Sequence, residues 1–521
     1  MRAFCGNSST WRNTAKISGM LFLLWALDPF GAATNSDQAS EALFYRVVAP
    51  VYPPPYPDLE HTTPFDDQTE IAVILINDES LANITLDKET GEIASTTKGG
   101  AAGKTNGNVR QATWPPAISI HKRIVEKIFE VPPRALFIDF GFFDDRHEKA
   151  TEAFAETLKQ HAVLAGKFDS YVKCRITEAQ RPDFDEFAPS ACGDQRPIFI
   201  PHADADASKY LKVLPQLAEA ATALVSTKYI GEEFDTYNQY DLFDCDYNSP
   251  PDALPARAPS AALAMYLTSG KKQIFQAADC DAGKTPPRKS VYWSDWGSTT
   301  HGRGAYECQN LPPGWVGRIL SIFRNLPAKV ANSAETQFQT CPPYLTASAH
   351  DFLSDETGFA EVLRDKYVFY GGNFVMADDL IRPPTHDPIP GVYVHAMVLS
   401  NLLRGEEKSA ESTFVGTILT ALAIIAAAFF SAWMWQREKS ESKSEGQGFW
   451  RWCRDSAPTF VKLFLLLLLV LAGYGVCLIV ILVFASIAFF GFDLAPINYM
   501  GIFMFVVLHG FGQVVERVVK T

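Results

Sequence analysis

The chain has 521 residues, 47% of them hydrophobic, with a formal net charge of -13 and a mean hydropathy of -0.02. Those values exclude a wholly disordered chain and a wholly membrane-embedded one. A pI of about 5.3 and the lack of a basic tract exclude a nucleic-acid groove.

Arg2, Arg12 and Lys16 precede an apolar run at 17–27, broken by Asp28 and Pro29 and resumed at 30–33. This segment reads as an uncleaved anchor or as a cleavable signal peptide, and either delivers residues 34–412 to the outside. A helix at 37–48 and a Pro-rich elbow at 50–57 lead to EIAVILIN at 70–77, a continuous apolar run of the kind found in a strand covered on both faces. Residues 83–111, rich in Gly, Thr, Ser and Lys, read as a flexible loop. Trp114 and two prolines then open a helix to about residue 129. RALFID at 134–139 is a second strand, with an acidic turn after it; a helix at 149–160 and a third strand at 162–166 complete a β, α, β, α, β alternation. Such alternation calls for a mainly parallel sheet. A fourth strand, YVFYG at 367–371, stops at the double glycine, where a turn is expected. Val392, His395, Ala396, Leu399, Leu402 and Leu403 stand at helical spacing and give a helix over 392–403. Between these pieces, residues 168–350 are rich in Pro, Asp, Tyr and Cys and read as an irregular Cys-rich insertion lobe, with helices at 259–269 and near 315–324.

Residues 413–435 contain no charge, and as a helix they reach roughly 34 Å at about 1.5 Å per residue, enough to cross a bilayer. Residues 461–487 and 497–515 are similarly apolar. Arg437, Lys439, Lys443, Arg451 and Arg454 place the loop 436–460 in the cytoplasm, and Arg517 and Lys520 place the C-terminus there too. The expected fold class is therefore an α/β external domain plus an α-helical transmembrane bundle. Small residues such as Gly473 and Gly475 permit close helix packing, within the bundle or in a homodimer. The expected location is the inner or plasma membrane, in contact with lipid.

Of nine cysteines, Cys174, Cys192, Cys245, Cys280, Cys308 and Cys341 fall in the external segment. An even number without C-x-x-C spacing suits disulfides in an oxidising compartment better than zinc or free thiols. Among the fifteen pairings open to six cysteines, one that joins sequence neighbours, Cys174 with Cys192 and Cys308 with Cys341, is the first expectation.

Ligands of open α/β sheets bind beyond the carboxyl ends of the strands. That rule selects Asp78, Glu79, Asp139, Asp144, Asp145, Gly371, Gly372, Asp378 and Asp379 as candidate ligand-binding residues. Carboxylates there suit a cation or the amino and hydroxyl groups of a small molecule; helix capping and loop solvation are the plainer use of the same residues. Gly371 and Gly372 lack the pattern of a phosphate cradle. His395 is a candidate ligand or pH contact, or a packed structural histidine. No hydrolase or metalloprotease signature is present, so neither catalysis, a metal nor a cofactor is expected.

AVILINDESL at 72–81, WPP at 114–116, ALFIDF at 135–140 with Asp144 and Asp145, KYVFYGG at 366–372, PGVYVHA at 390–396 and NLL at 401–403 together resemble, in order and identity, the CHASE type 2 family. The resemblance covers residues 37–405. It implies an extracytoplasmic sensor domain of the kind associated with cyclases and histidine kinases, an N-terminal anchor and three membrane spans after the sensor. Relatives often continue into an output domain, whereas six residues follow Val515 here. The expected protein is thus a non-enzymatic sensor of an unknown external ligand that signals in trans through a membrane or cytoplasmic partner. An envelope scaffold holding a partner protein constitutively is the alternative.

Overall fold

Six parallel strands form the main sheet among the residues described by the computed structural model, which are 70–96, 109–142, 148–163, 165–179, 195–201, 213–227, 229–230, 239–245, 257–270, 289–291, 293, 344–354, 359–374, 380–381, 383 and 388–404. The chain divides into two compact units, Met1–Phe44 with Lys408–Thr521, and Tyr45–Glu407; all the described residues belong to the second.

In chain order the first elements are β1 (Ile71–Asn77), the short helix α1 (Asp78–Asn83), the small strands β2 (Thr85–Asp87), β3 (Ile93–Ser95) and β4 (Val109–Gln111), and helix α2 (Ile118–Glu130). Then come β5 (Ala135–Ile138), α3 (Glu148–His161), α4 (Ala165–Ala179), β6 (Ile198–Pro201), α5 (Pro215–Ala220), β7 (Ala223–Val225), β8 (Tyr229–Ile230), β9 (Gln239–Tyr240), β10 (Phe243–Cys245) and β11 (Arg257–Pro259). The last are α6 (Ala261–Leu267), β12 (Lys289–Ser290), β13 (Leu345–Ser348), α7 (Ala349–Ser354), α8 (Phe359–Val362), β14 (Tyr367–Asn373), β15 (Leu380–Ile381), β16 (Ile389–Pro390) and α9 (Val392–Leu403).

The central sheet runs in the order β13, β1, β14, β5, β6, β7, and every neighbouring pair is parallel. β14, its last strand in sequence, lies between β1 and β5. A strand buried on both faces reads as an unbroken apolar run, and β1 and β5 do so because helices cover both sides. On one face Ala72, Ile74, Ile76, Leu136, Ile138, Val368 and Tyr370 pack against α2, α3, α5, α7 and α8. On the other, Ile71, Val73, Leu75, Phe137, Tyr367 and Phe369 pack against α6 and α9. All twelve residues of α9 are buried, which matches a sequence apolar on every side rather than along one stripe.

The structure corrects several sequence expectations. The strand expected at 162–166 is a single bridge, Ala162 with Arg196, because helix α4 starts at Ala165. The neighbouring strand of the sheet is instead β6, inside the stretch assigned to the insertion lobe. That stretch also supplies β7 and β13, so it builds half of the sheet as well as the small antiparallel pairs β10–β11 and β8–β9–β12. The loop expected at 83–111 carries the three-stranded antiparallel sheet β3–β2–β4 among its described residues. The helix expected from Trp114 begins only at Ile118, and the Trp114–Pro115 bond is cis.

β14 does not stop at its double glycine. Gly371 pairs with Leu75 and Gly372 with Ile76, and the strand continues to Asn373. The reason is packing: a Cβ on Gly371 would sit 2.9 Å from Cβ of Val392, the first residue of α9. Glycine at 371 lets α9 lie directly on the strand. Among the described residues no helix is long and apolar enough to cross a membrane. The expected spans at 413–435, 461–487 and 497–515, and the N-terminal apolar segment, lie outside the described residues.

Gly371→Ala should therefore destabilise the domain by about 1–3 kcal/mol, the usual range for overpacking. Gly372→Ala, whose added methyl would meet ring atoms of Phe374 at 3.0 Å, should cost less because its neighbour is the far end of a side chain and not the Cβ of a helix residue. Urea unfolding of the two variants, compared with the parent, checks the order.

Candidate functional site

The carboxyl ends of β1, β14 and β5 lie side by side. Asn77 pairs with Asn373, and the Asp139 N–H donates to the Tyr370 carbonyl at 2.7 Å. Asn77 ends β1 and caps α1, its Oδ1 accepting from the Ser80 N–H and the Ser80 hydroxyl, each at 2.7 Å. This fixes Asp78 and Glu79 in the first turn of α1, where both are exposed. Asp139, directly after β5, is partly buried. Three of the predicted carboxylates thus gather at one edge of the sheet. Gly371 and Gly372 are buried within β14 and serve packing. Asp144, Asp145, Asp378 and Asp379 lie outside the described residues.

An aromatic group that sequence reasoning did not select borders the same edge. Trp114 is 45% exposed, and its ring packs against Phe374 with centroids 4.1 Å apart. Phe374 follows directly on Asn373, so the Trp114 ring stands by the carboxyl end of the central strand. The Gln111 side chain, donating to the Ala82 carbonyl at 3.1 Å, ties the preceding segment to α1. The WPP string marked Trp114 in the sequence, but only as a helix start.

Two histidine–tyrosine pairs lie buried, one on each face of the sheet. On the α2 side, His121 Nδ1 and the Tyr370 hydroxyl are 2.9 Å apart, with Phe140 and Phe142 around the imidazole. On the α9 side, His395 Nδ1 and the Tyr240 hydroxyl are 2.7 Å apart, and the Phe137 ring meets His395 edge-on at 5.3 Å. His395 is 1% exposed, so it is a packed, hydrogen-bonded side chain. Burial lowers the pKa of each imidazole to about 3, which keeps both neutral. Burial raises Tyr240; hydrogen bonds from the Ser260 side chain and the Ala262 backbone oppose the rise, and the charges of Asp139 and Asp241 add to it.

α9 is pinned at further points. The Tyr393 hydroxyl and Thr346 Oγ1 are 2.8 Å apart, and the Tyr344 hydroxyl donates to Met397 Sδ at 3.3 Å. Among the described residues no three His, Cys, Asp or Glu side chains gather as they would around a metal ion. Cys174, on α4, is disulfide-bonded. Cys192, Cys280, Cys308 and Cys341 lie outside the described residues, and Cys245 is described only in its backbone, in β10.

A parallel sheet with polar groups at its carboxyl edge, covered by helices on both faces, has the anatomy of an α/β binding domain. The family model of the CHASE2 domain matches residues 38–433, and the chain belongs to that family, whose domain is an extracytoplasmic sensory one. The match extends beyond α9 through most of the apolar run at 413–435. No curated protein and no solved structure matches the chain.

The buried imidazoles set a pH dependence. In the unfolded chain each titrates near its ordinary value of about 6.5. Between that value and about 3 the unfolded chain binds more protons than the folded one. Their contribution to stability is therefore complete above pH 6.5 and declines as pH falls toward 3. His121→Gln and His395→Gln should each lower proton uptake on unfolding at pH 5 by about one, read from the slope of unfolding free energy against pH.

Proposed function

We propose that the protein is a non-enzymatic sensor in the inner or plasma membrane, with its α/β domain outside. A small molecule or a protein segment bearing amino or hydroxyl groups docks at the carboxyl edge formed by Asp78, Glu79, Asp139 and Trp114. Docking shifts α9, and the shift passes through residues 405–412 to the span at 413–435 and on to a partner protein in trans. The spans at 461–487 and 497–515 complete the bundle, which is in contact with lipid and is the place where two copies of the chain would pair. The observation that carries this reading is α9: a helix buried along its whole length, seated on the central strand at Gly371 and held by side-chain hydrogen bonds, within nine residues of an apolar run of spanning length. Support for an oxidising outer compartment comes from the disulfide at Cys174.

The test is a thermal-shift screen of the full-length protein in detergent against a library of amines, amino acids and sugars. A true ligand at a hundredfold its Kd adds about 2.7 kcal/mol of stability. Asp78→Asn, Asp139→Asn and Trp114→Ala should each weaken its binding by roughly tenfold or more, the worth of one charge-assisted hydrogen bond or one aromatic contact. If no compound shifts the transition, and crosslinking recovers the same stoichiometric partner under every growth condition, the protein is a constitutive scaffold instead.

A further inference from the structure

Three histidines among the described residues are almost wholly buried, and they differ in what meets the ring. His121 and His395 each have a tyrosine hydroxyl and aromatic rings. His350, 3% exposed in α7, has a carboxylate: its Nε2 is 3.2 Å from Oδ1 of Asp351.

The bonds around Ser348, where β13 ends, fix where the neutral His350 ring carries its proton. The Ser348 hydroxyl donates to Asp351 Oδ2 at 2.6 Å, since an ionised carboxylate can only accept. That uses its single proton. The same oxygen accepts from the Asp351 N–H at 3.3 Å, and its contact with His350 Nδ1 at 3.1 Å is therefore one in which the imidazole donates. A neutral ring with its proton on Nδ1 has none on Nε2. That nitrogen is closed to solvent and makes no hydrogen bond, although the carboxylate oxygen is within reach. Two atoms that can only accept thus stand 3.2 Å apart, and a proton placed between them turns the contact into a charge-assisted hydrogen bond. Nothing larger than a proton fits at an atom without accessible surface. The Asp351 side chain is 31% exposed, which gives the proton a way in from solvent.

α7 packs against α1, β1, β13 and α2. β1 and β13 carry no ionisable side chain, α1 contributes Asp78 and Glu79, which favour a cation, and the one buried charge of α2 is Lys127, which opposes it. The Lys127 amino group lies toward the other end of α7, donating to the Leu353 carbonyl at 3.4 Å and standing 5.8 Å from the centre of the Phe352 ring.

We propose that His350 and Asp351 form a proton-binding site at the carboxyl edge of the sheet: acid places a proton on His350 Nε2, and the imidazolium cancels the charge of Asp351. Ser348 pairs with Leu75, two residues before the Asn77 that caps α1, so the proton acts on the edge that displays Asp78 and Glu79 and makes it less negative as pH falls. The inference goes beyond the ligand reading and stands without it.

The test needs no ligand. Full-length protein with 15N-labelled histidine, in lipid nanodiscs, is titrated from about pH 8 to about pH 5, and His350→Gln identifies the His350 resonances by their loss. His350 Nε2 should pass from the shift of a bare ring nitrogen to that of an N–H, while Nδ1 remains an N–H throughout. His121 and His395 should hold their shifts, which makes them controls for an intact fold in each variant. In Asp351→Asn, which keeps an oxygen for the Ser348 hydroxyl, the ratio of charged to neutral His350 at about pH 6 should fall about tenfold, the worth of one charge-assisted hydrogen bond. A His350 that stays neutral across the range, that holds its neutral-state proton on Nε2, or that charges equally in Asp351→Asn overturns the proposal.

Discussion

The distance of 2.9 Å between a hypothetical methyl on Gly371 and Cβ of Val392 sets how α9 is seated on the central sheet. With any larger residue at 371, α9 would stand off from the sheet, and the side chains that reach across would miss their partners. Helix on strand at this range brings His395 against the Phe137 ring and puts Tyr393 within reach of Thr346 on the edge strand. Because β14 lies between β1 and β5, a helix seated there touches the centre of the sheet and not its margin. Close packing in such a layer is stiff, so a small displacement at the edge is passed on rather than absorbed.

Three hydrogen-bonded side-chain pairs lie inside the two apolar layers: His121 with Tyr370, His395 with Tyr240, and Tyr393 with Thr346. A buried hydrogen bond contributes only modestly to net stability, yet leaving one partner alone costs much more. Pairs of this kind thus penalise any slip of α2 or α9 along the sheet, and they do so without net charge because burial keeps both imidazoles neutral. Apolar contacts alone would discriminate far less between neighbouring seatings of a helix as uniformly hydrophobic as α9.

Legibility in the sequence followed the length of the signal. β1 and α9 were readable to within a residue because seven and twelve residues of consistent character leave little ambiguity. β6, β7 and β13 were not, being three- or four-residue runs embedded in a Pro- and Asp-rich stretch whose composition suggested irregular structure. Residues 162–166 had the composition of a short strand, but helix α4 begins within them. At the sheet edge, Asp78, Glu79 and Asp139 could be selected from the rule that ligands gather at carboxyl ends, which needs only strand direction. Trp114 could not, because its place depends on a ring contact with Phe374, which leaves no periodic trace in the chain.

The place of β14 in the sheet also orders events during biosynthesis. β1 on one side and β5, β6 and β7 on the other have no direct pairing with each other; only β14 joins them, and it is the last strand of the sheet to be made. Until residues 367–373 emerge, the two halves remain separate and their inner edges unpaired, a state that invites misassociation. The joining strand leaves the ribosome about forty residues before the apolar run at 413–435 begins. Closure of the sheet therefore waits for its last-made strand, and until then the unpaired inner edges of β1 and β5 are the surfaces most open to a wrong partner.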